Sequence, residues 1–315
     1  MKSGFLIIDK DENKTSNQID YSIKRIFNTK KVGHLGTLDP FASGILIVAI
    51  NYATKLFPLL EDNKKTYLAT IVFNKETDTL DRSGTLINEK DVSIQKEELV
   101  KVLNSFLGET KQVPPKYSAV HVGGKRAYLL ARENIDFEIQ PKDIFVYDIK
   151  LISFKDNIAE VLMTVSKGTY IRKLAYDIAV KLNTVSYLSS LKRVEFGNIN
   201  INDAIKIDDL KQENLLPVNY FFKDIKVIDI NSPLLLKLIQ NGNVFSFDSN
   251  EKFLFFKNDG EIIALYQKQD DNKYHLVCIL NNWFNFIFIS VFNLSWFFNF
   301  LNDFFFSFYR QVIFI

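Results

Sequence analysis

The most constraining stretch of this chain is Lys31-Val-Gly-His-Leu-Gly-Thr-Leu-Asp-Pro-Phe-Ala-Ser-Gly44, because it opens directly into an unbroken apolar run ending at Ile50. Such a run reads as a buried strand. The segment before it is glycine-punctuated and irregular. Gly33 and Gly36 flank His34 and open backbone conformations closed to other residues. Asp39 is held extended or turned by Pro40. A phosphate cradle is a poor fit, since those motifs need other glycine intervals or a Gly-Lys-Ser/Thr ending. On the residues alone, a plain Asp-Pro turn and a functional loop both stay open.

The surrounding pattern mixes strands and helices. Residues 5–9 read as a first strand, and a helix follows from Thr15 or Ser16, with a capping hydroxyl ahead of Ile19, Ile23, Ile26 and Phe27. Residues 66–73 alternate as a strand, and 96–107 form an amphipathic helix stopped by Gly108. Val113-Pro114-Pro115 is extended. Strands follow at 144–154 and 158–165, then a helix over 169–182 with Ile171, Leu174, Ile178 and Leu182 on one stripe. Without strict βαβ alternation, the order predicts an α+β fold. A length of 315 residues predicts two domains. We place them at 1–220 and 221–280. Between 225 and 280, short apolar runs are broken by Asn-Gly-Asn, Asp-Ser-Asn, Asn-Asp-Gly and Asp-Asp-Asn, which predicts a small β-rich domain.

Composition narrows the function. With 47% hydrophobic and 24% charged residues the chain is not wholesale disordered. One cysteine, Cys278, excludes an internal disulfide framework, and three scattered histidines cannot make a histidine-rich metal site. The first apolar run is broken by Asp9, too early for a signal peptide, so a cytoplasmic protein is expected. The net charge of +2 divides into 29 basic against 24 acidic residues over 1–200, and 10 against 13 over 201–315. Positions 110–132 hold Lys111, Lys116, Lys125, Arg126 and Arg132 with no acid, and 167–193 hold six basic residues against Asp177 alone. Tyr117, Tyr128, Tyr170 and Tyr176 interleave with them, which favours nucleic acid over a merely solvated face. Lys167, Arg172 and Lys173 gather at the positive end of a helix dipole. That placement calls for an anion, either an RNA phosphate or a carboxylate from elsewhere in the fold.

Residues 281–315 differ in kind: they hold 12 of the 29 phenylalanines, both tryptophans and, as charges, only Asp303 and Arg310. The 19 uncharged residues 283–301 approach bilayer-spanning length, but Asn285, Asn293 and Asn299 interrupt them and no basic flank follows, so membrane insertion is not expected. Three readings stand for this hydrophobic tail: translation past the natural end of an A+T-rich gene, a membrane or partner contact, or an atypical core segment. No function is rested on it.

The Lys31–Gly44 stretch resembles the signature of the TruB family of tRNA pseudouridine synthases. Further motifs agree in the family's order: Asp9-Lys10, Thr15-Ser16, Ala53-Thr54-Lys55, Lys65-Thr66-Tyr67 and Thr77-Asp78-Thr79-x-Asp81. Pro114-Pro115-x-x-Ser118-Ala119-Val120 follows, with Gly124, Arg126, Tyr128 and Ala131-Arg132, and then Lys167-Gly-Thr-Tyr-Ile-Arg172. The resemblance covers about residues 4–220, and 225–280 is more loosely similar to a PUA-type RNA-binding domain. Asp11 and Asn13 stand where the family has proline and glycine, and Asn51 and Asn74 replace two further glycines. Asparagine tolerates left-handed backbone, so the local path is expected to survive.

The resemblance implies a pseudouridine-synthase-type mixed sheet flanked by helices, with a PUA-like C-terminal domain. It implies isomerisation of uridine 55 in the tRNA T loop by a monomer that needs neither cofactor nor metal. Asp39 is then the nucleophile, as a carboxylate can attack an electrophilic carbon and later leave. Arg172 pairs with it and is expected to lower its pKa. Tyr67 stacks on the target base and serves proton transfer, Leu191 lines the base pocket, and His34 helps hold the displaced RNA loop. Lys10, Lys116, Lys125, Arg126, Arg132 and Lys167 are the remaining candidates for RNA and base binding. The competing readings are a guide-RNA-dependent rRNA pseudouridine synthase and a non-catalytic tRNA-binding chaperone. The early catalytic motifs and small C-terminal region favour the stand-alone type, and Asp39, Tyr67 and Arg172 together favour catalysis.

Overall fold

A computed structural model describes residues 2–133 and 135–281. Beyond Asn281, the readings made for the aromatic tail fall outside the described residues. The described chain divides into two compact units, one of Phe5–Ala49 with Phe57–Leu215, the other of residues 216–281 with the short stretches 2–4 and 50–56.

In the first unit, β1 (Gly4–Lys10) buries Phe5, Leu6, Ile7 and Ile8. Helix α1 (Ser16–Ile26) begins where expected: the Thr15 hydroxyl accepts from the Gln18 N–H while the Gln18 side chain accepts from the Thr15 N–H. Ile19 and Ile23 take its buried face. The glycine stretch includes a short strand, β2 (Val32–Leu35), before β3 (Ser43–Ile50), which is buried from Gly44 onward. Then come β4 (Lys65–Phe73), a hairpin of β5 (Lys75–Thr77) and β6 (Leu86–Glu89), α2 (Lys96–Asn104) and β7 (Gly108–Gln112). A tight hairpin of β8 (His121–Val122) and β9 (Lys125–Arg126) leads into α3 (Ala127–Arg132). The antiparallel pair β10 (Lys142–Lys155) and β11 (Ile158–Val165) precedes α4 (Ile171–Lys181), β12 (Ser186–Phe196), β13 (Ile199–Asn200) and β14 (Ile205–Lys206).

Ten of these strands make one mixed sheet in the order β14-β1-β3-β12-β4-β11-β10-β7, with β13 on β12 and β2 on β3. β12 runs parallel to β3 and antiparallel to β4, so the strand after α4 lies in the middle of the sheet. On one face Tyr67, Ala69, Ile71 and Phe73 of β4 pack with Leu99 and Leu103 of α2 and Leu174 and Ile178 of α4. This is the alternation expected of β4, at roughly 1.5–3 kcal/mol for each large apolar side chain buried. The α+β class holds. Helix α2 closes at Asn104, before the expected residue 107, with Ser105 as its cap.

The second unit holds β15 (Lys226–Asp229), α5 (Pro233–Gln240), β16 (Phe253–Asn258), β17 (Glu261–Lys268) and β18 (Tyr274–Ile279). The four strands pair in that order, β15 parallel to β16 and the others antiparallel. Asp259 and Gly260, both at positive φ, make the two-residue turn between β16 and β17. The β-rich expectation holds, with one helix added to it: in α5 Pro233 sits in the first turn and the Ser232 hydroxyl accepts from the Leu235 N–H. Phe245, Phe256, Tyr266 and Tyr274 centre its core. The asparagine substitutions behave as expected, with Asn13, Asn51 and Asn74 at φ 61, 57 and 71.

Candidate active site

Asp39 lies on the segment between β2 and β3, and that segment is pinned from both sides. Ser16, the first residue of α1, accepts from the Leu38 N–H at 3.1 Å and donates to the Leu38 carbonyl at 3.2 Å. Lys10, at the end of β1 and fully buried, donates to the carbonyls of Lys14 at 2.6 Å, Asp11 at 2.9 Å and Pro40 at 3.3 Å. Burial lowers its ammonium to about 8. The left-handed Asn13 adds its own N–H to the Pro40 carbonyl at 2.7 Å. The Asp39–Pro40 turn is thus braced by β1 and by the turn that follows it, and the Asp39 side chain keeps 36% of its surface accessible.

Arg172 grips that carboxylate from the first turn of α4. Its Nε donates to Oδ2 at 2.9 Å and its Nη2 to Oδ1 at 3.1 Å, a two-pronged contact. The remaining donors reach the carbonyls of Thr79 at 2.8 Å and Tyr117 at 3.0 Å, and Asp81 Oδ2 stands 3.4 Å from Nη1. One buried side chain therefore joins the Asp39 loop, the β5–β6 hairpin and the extended Pro114–Pro115 segment. The effect on Asp39 corrects the expectation drawn from Arg172 alone. Burial is the largest influence and raises the carboxyl above its ordinary 3.8; Arg172 opposes it, Asp81 adds to it, and Lys10 opposes it. Both oxygens accepting from one guanidinium is the arrangement an ionised carboxylate makes.

Tyr67 and Leu191 come from neighbouring central strands and share one apolar cluster with Leu38, Phe41 and Ala42. Directly across from Tyr67 in the β4–β12 ladder is Arg193, which is 1% exposed. Its guanidinium donates to the carbonyls of Ile45 at 2.6 Å and Gly36 at 3.0 Å, with Nη1 3.5 Å from the Tyr67 hydroxyl. Its backbone lies against Gly44, where a Cβ would meet the Arg193 carbonyl oxygen at 2.2 Å. Glycine at the start of β3 is what lets β3 and β12 approach.

The TruB family pseudouridylate synthase (N terminal domain) matches residues 24–171. The tRNA pseudouridine synthase B of Borreliella afzelii (strain PKo) is 39% identical over 283 residues, covering 89% of this chain and 100% of the relative. The chain belongs to the TruB family. The tRNA pseudouridine synthase B of Mycoplasma mobile is 40% identical over 256 residues, 80% of this chain and 89% of its own length. Among solved structures, a Cbf5–Nop10–Gar1 complex shares the fold with a TM-score of 0.63 at 21% identity, covering 89% of this chain and 84% of that one.

Within this TruB-family site the other sequence candidates separate into two groups. Lys116, Lys125, Arg126 and Arg132 are exposed on or beside the β8–β9 hairpin and α3, with Arg132 over the Tyr128 ring at 5.6 Å and Lys116 3.6 Å from Asp136. In the 167–193 patch, by contrast, three of the six cations have carboxylate partners and two of the six are buried. Lys167 pairs with Asp62 at 2.6 Å, Lys173 with Asp177 one turn on, and Arg172 with Asp39, while Arg193 is buried. The anion called for at the start of α4 is therefore a set of carboxylates. His34 faces Asp20 and Thr37. Residue reasoning missed Asp81, Ser16 and the structural use of Arg193. Asp81 was visible only as the end of the Thr77–Asp81 motif, and Arg193 only as one charge in a patch. Among the described residues no group of three or more His, Cys, Asp or Glu side chains is placed to hold a metal ion, and no helix is long and apolar enough to cross a membrane.

Proposed function

We propose that this TruB-family enzyme isomerises uridine 55 in the T loop of tRNA to pseudouridine, with Asp39 as the nucleophile. The observation that carries the reading is the partly exposed Asp39 carboxylate held by both prongs of a buried Arg172. The reaction has no net change in composition. The bond from ribose to the uracil nitrogen breaks, the base turns, and a bond from a ring carbon to the same sugar carbon forms. That ring carbon gives up its proton and the freed nitrogen gains one. Asp39 forms and later releases a covalent bond, and the Arg172 fork keeps its oxygens oriented throughout.

Tyr67 stacks on the base against the Leu191 wall, with its hydroxyl next to a buried cation, the place for a group that takes the departing proton. The target base has to leave its stack, at about a few kcal/mol. Lys116, Lys125, Arg126 and Arg132, on exposed elements beside the segment that Arg172 ties to Asp39, offset that cost through phosphate contacts weakened by salt. Lys167 contributes when its exposed pair with Asp62 opens; Lys10, expected to bind RNA, is instead fully buried on three backbone carbonyls and acts by bracing the Asp39 turn. Residues 1–220 form the catalytic domain and 221–280 a PUA-like RNA-binding domain. The enzyme works as a stand-alone cytoplasmic monomer on the T stem-loop; similarity over 89% of this chain and 100% of a relative named tRNA pseudouridine synthase B supports the stand-alone role over a guide-RNA-dependent one.

The test is to incubate the wild type and Asp39→Ala with an unmodified tRNA transcript, digest the RNA and separate its nucleosides by chromatography. Pseudouridine in the T loop with the wild type alone is the expected result. Turnover retained by Asp39→Ala would remove Asp39 from the nucleophile's role, and binding without product from either would favour the chaperone or guided readings.

A further inference from the structure

The face of α1 that meets the active-site loop carries two polar side chains one helical turn apart, Ser16 and Asp20. Positions four apart lie on the same side of a helix. Ser16 holds the loop at Leu38, beside the nucleophile, through the reciprocal pair of bonds already described. Asp20 holds it at the other end. Its Oδ2 lies 2.8 Å from His34 Nδ1, and both side chains keep only 12% of their surface. The other ring nitrogen of His34, Nε2, lies 3.0 Å from the Thr37 hydroxyl. Helix α1 therefore grips both ends of the 34–38 segment with one face.

We infer that Asp20 is a positioning residue for His34: it fixes the ring's orientation and keeps the proton on Nδ1, so that Nε2 is the edge offered on the Thr37 side. Three observations carry this. An ionised carboxylate only accepts, so the ring nitrogen facing it has to be the N–H, and the choice of tautomer follows from Asp20. Asp20 Oδ1 is buried without a hydrogen-bond partner, an unfavourable placement that an exposed position on α1 would have avoided. Among the described residues, His34 is also the sole basic side chain with an ion-pair contact to that carboxylate. The acid is thus held at a cost for one contact, and the contact is to the residue read above as holding the displaced RNA loop. His34 lies in β2, whose pairing with β3 sets its backbone, so the orientation of the ring is left to its side-chain contacts.

The inference rests on the proposed RNA contact of His34, and its test separates the two. Nitrogen-15 NMR of the full chain assigns the His34 tautomer, since only His121 and His275 are other histidines and His34→Ala identifies the signal. The dissociation constant for an unmodified tRNA transcript and the single-turnover rate are then measured for the wild type, Asp20→Leu, Asp20→Asn, His34→Ala and Asp20→Leu/His34→Ala. The expected result is an Nδ1–H tautomer in the wild type that is lost in Asp20→Leu. Asp20→Leu also weakens tRNA binding about tenfold, with a much smaller fall in the rate on saturating tRNA. Asp20→Asn, whose carbonyl oxygen still accepts from Nδ1–H, restores most of the affinity. Once His34 is absent, Asp20→Leu costs nothing further. An Nε2–H tautomer in the wild type, or an equal loss from Asp20→Leu with and without His34, would overturn the inference. If His34→Ala binds tRNA like the wild type, the RNA contact fails on its own account, and the tautomer still decides what Asp20 does to the ring.

Discussion

Arg172 and Asp39 meet through two hydrogen bonds of 2.9 and 3.1 Å, although 133 residues separate them in the chain. The same guanidinium satisfies the carbonyls of Thr79 and Tyr117, so the nucleophile's orientation and the closure of three chain segments depend on one side chain.

Arg172→Lys keeps the charge and loses the fork. Charge-assisted hydrogen bonds are worth about 1.5–3 kcal/mol each. With one lost in the transition state, kcat should fall about 10- to 100-fold while tRNA affinity changes little. Single-turnover kinetics together with filter binding of tRNA check both halves. A matching fall in affinity would mean that Arg172 serves binding rather than orientation.

Asp39 has to be ionised to attack, and its carboxyl is raised above 3.8 chiefly by burial, with Asp81 pushing the same way. Activity is therefore lost on acidification while the pH is still above 3.8. Asp81→Asn removes a negative neighbour, which lowers the Asp39 pKa and moves the acid limb of the single-turnover rate to lower pH. A limb that stays in place or moves upward contradicts the role given to Asp81.

Lys10 is fully buried and its ammonium is lowered from 10.5 to about 8. A depressed pKa means that its favourable contribution is present in full above 10.5 and is lost as the pH falls through about 8. Relative to Lys10→Met, the wild type should gain about 3 kcal/mol between pH 8 and 10.5. Urea unfolding of both proteins at pH 7.5 and at pH 10 (about the ends of that window) measures the difference. An unchanged gap would place Lys10 in contact with water.

Asn13 sits at φ 61 and its side chain makes no hydrogen bond among the described residues, unlike Asn51 and Asn74, whose amides donate to the carbonyls of Lys2 and Val92. Asn13→Ala should cost about 1 kcal/mol from left-handed strain alone, and Asn13→Gly should cost nothing or stabilise slightly. Denaturation midpoints separate the two. The same strain displaces the N–H that braces Pro40, so Asn13→Ala should also slow turnover.

Elements whose local pattern matched their burial were legible before folding. The apolar run of β3, the capped α1 and the alternating β4 each announce themselves, because periodicity and capping are properties of neighbouring residues. β12 was not legible. Ser189, Ser190, Lys192 and Arg193 give it the look of a polar loop, yet it occupies the centre of the sheet, its arginine satisfied by the carbonyls of Ile45 and Gly36. Helix α5 was passed over for the opposite reason, since its run of leucines suits a strand as well as a helix and only the Ser-Pro start decides.

For the site, the chain by itself determined the chemical groups. An aspartate before proline in a glycine loop, a tyrosine on a strand and an arginine entering a helix are all readable in order. What the tertiary structure alone decided is which charges those groups meet. The cations of 167–193 looked free because their carboxylates, Asp62 and Asp39, lie over a hundred residues away. The direction of the Asp39 shift was hidden for the same reason, as burial and the approach of Asp81 are products of folding. Electrostatics acts through distance in space, and sequence records distance only along the chain.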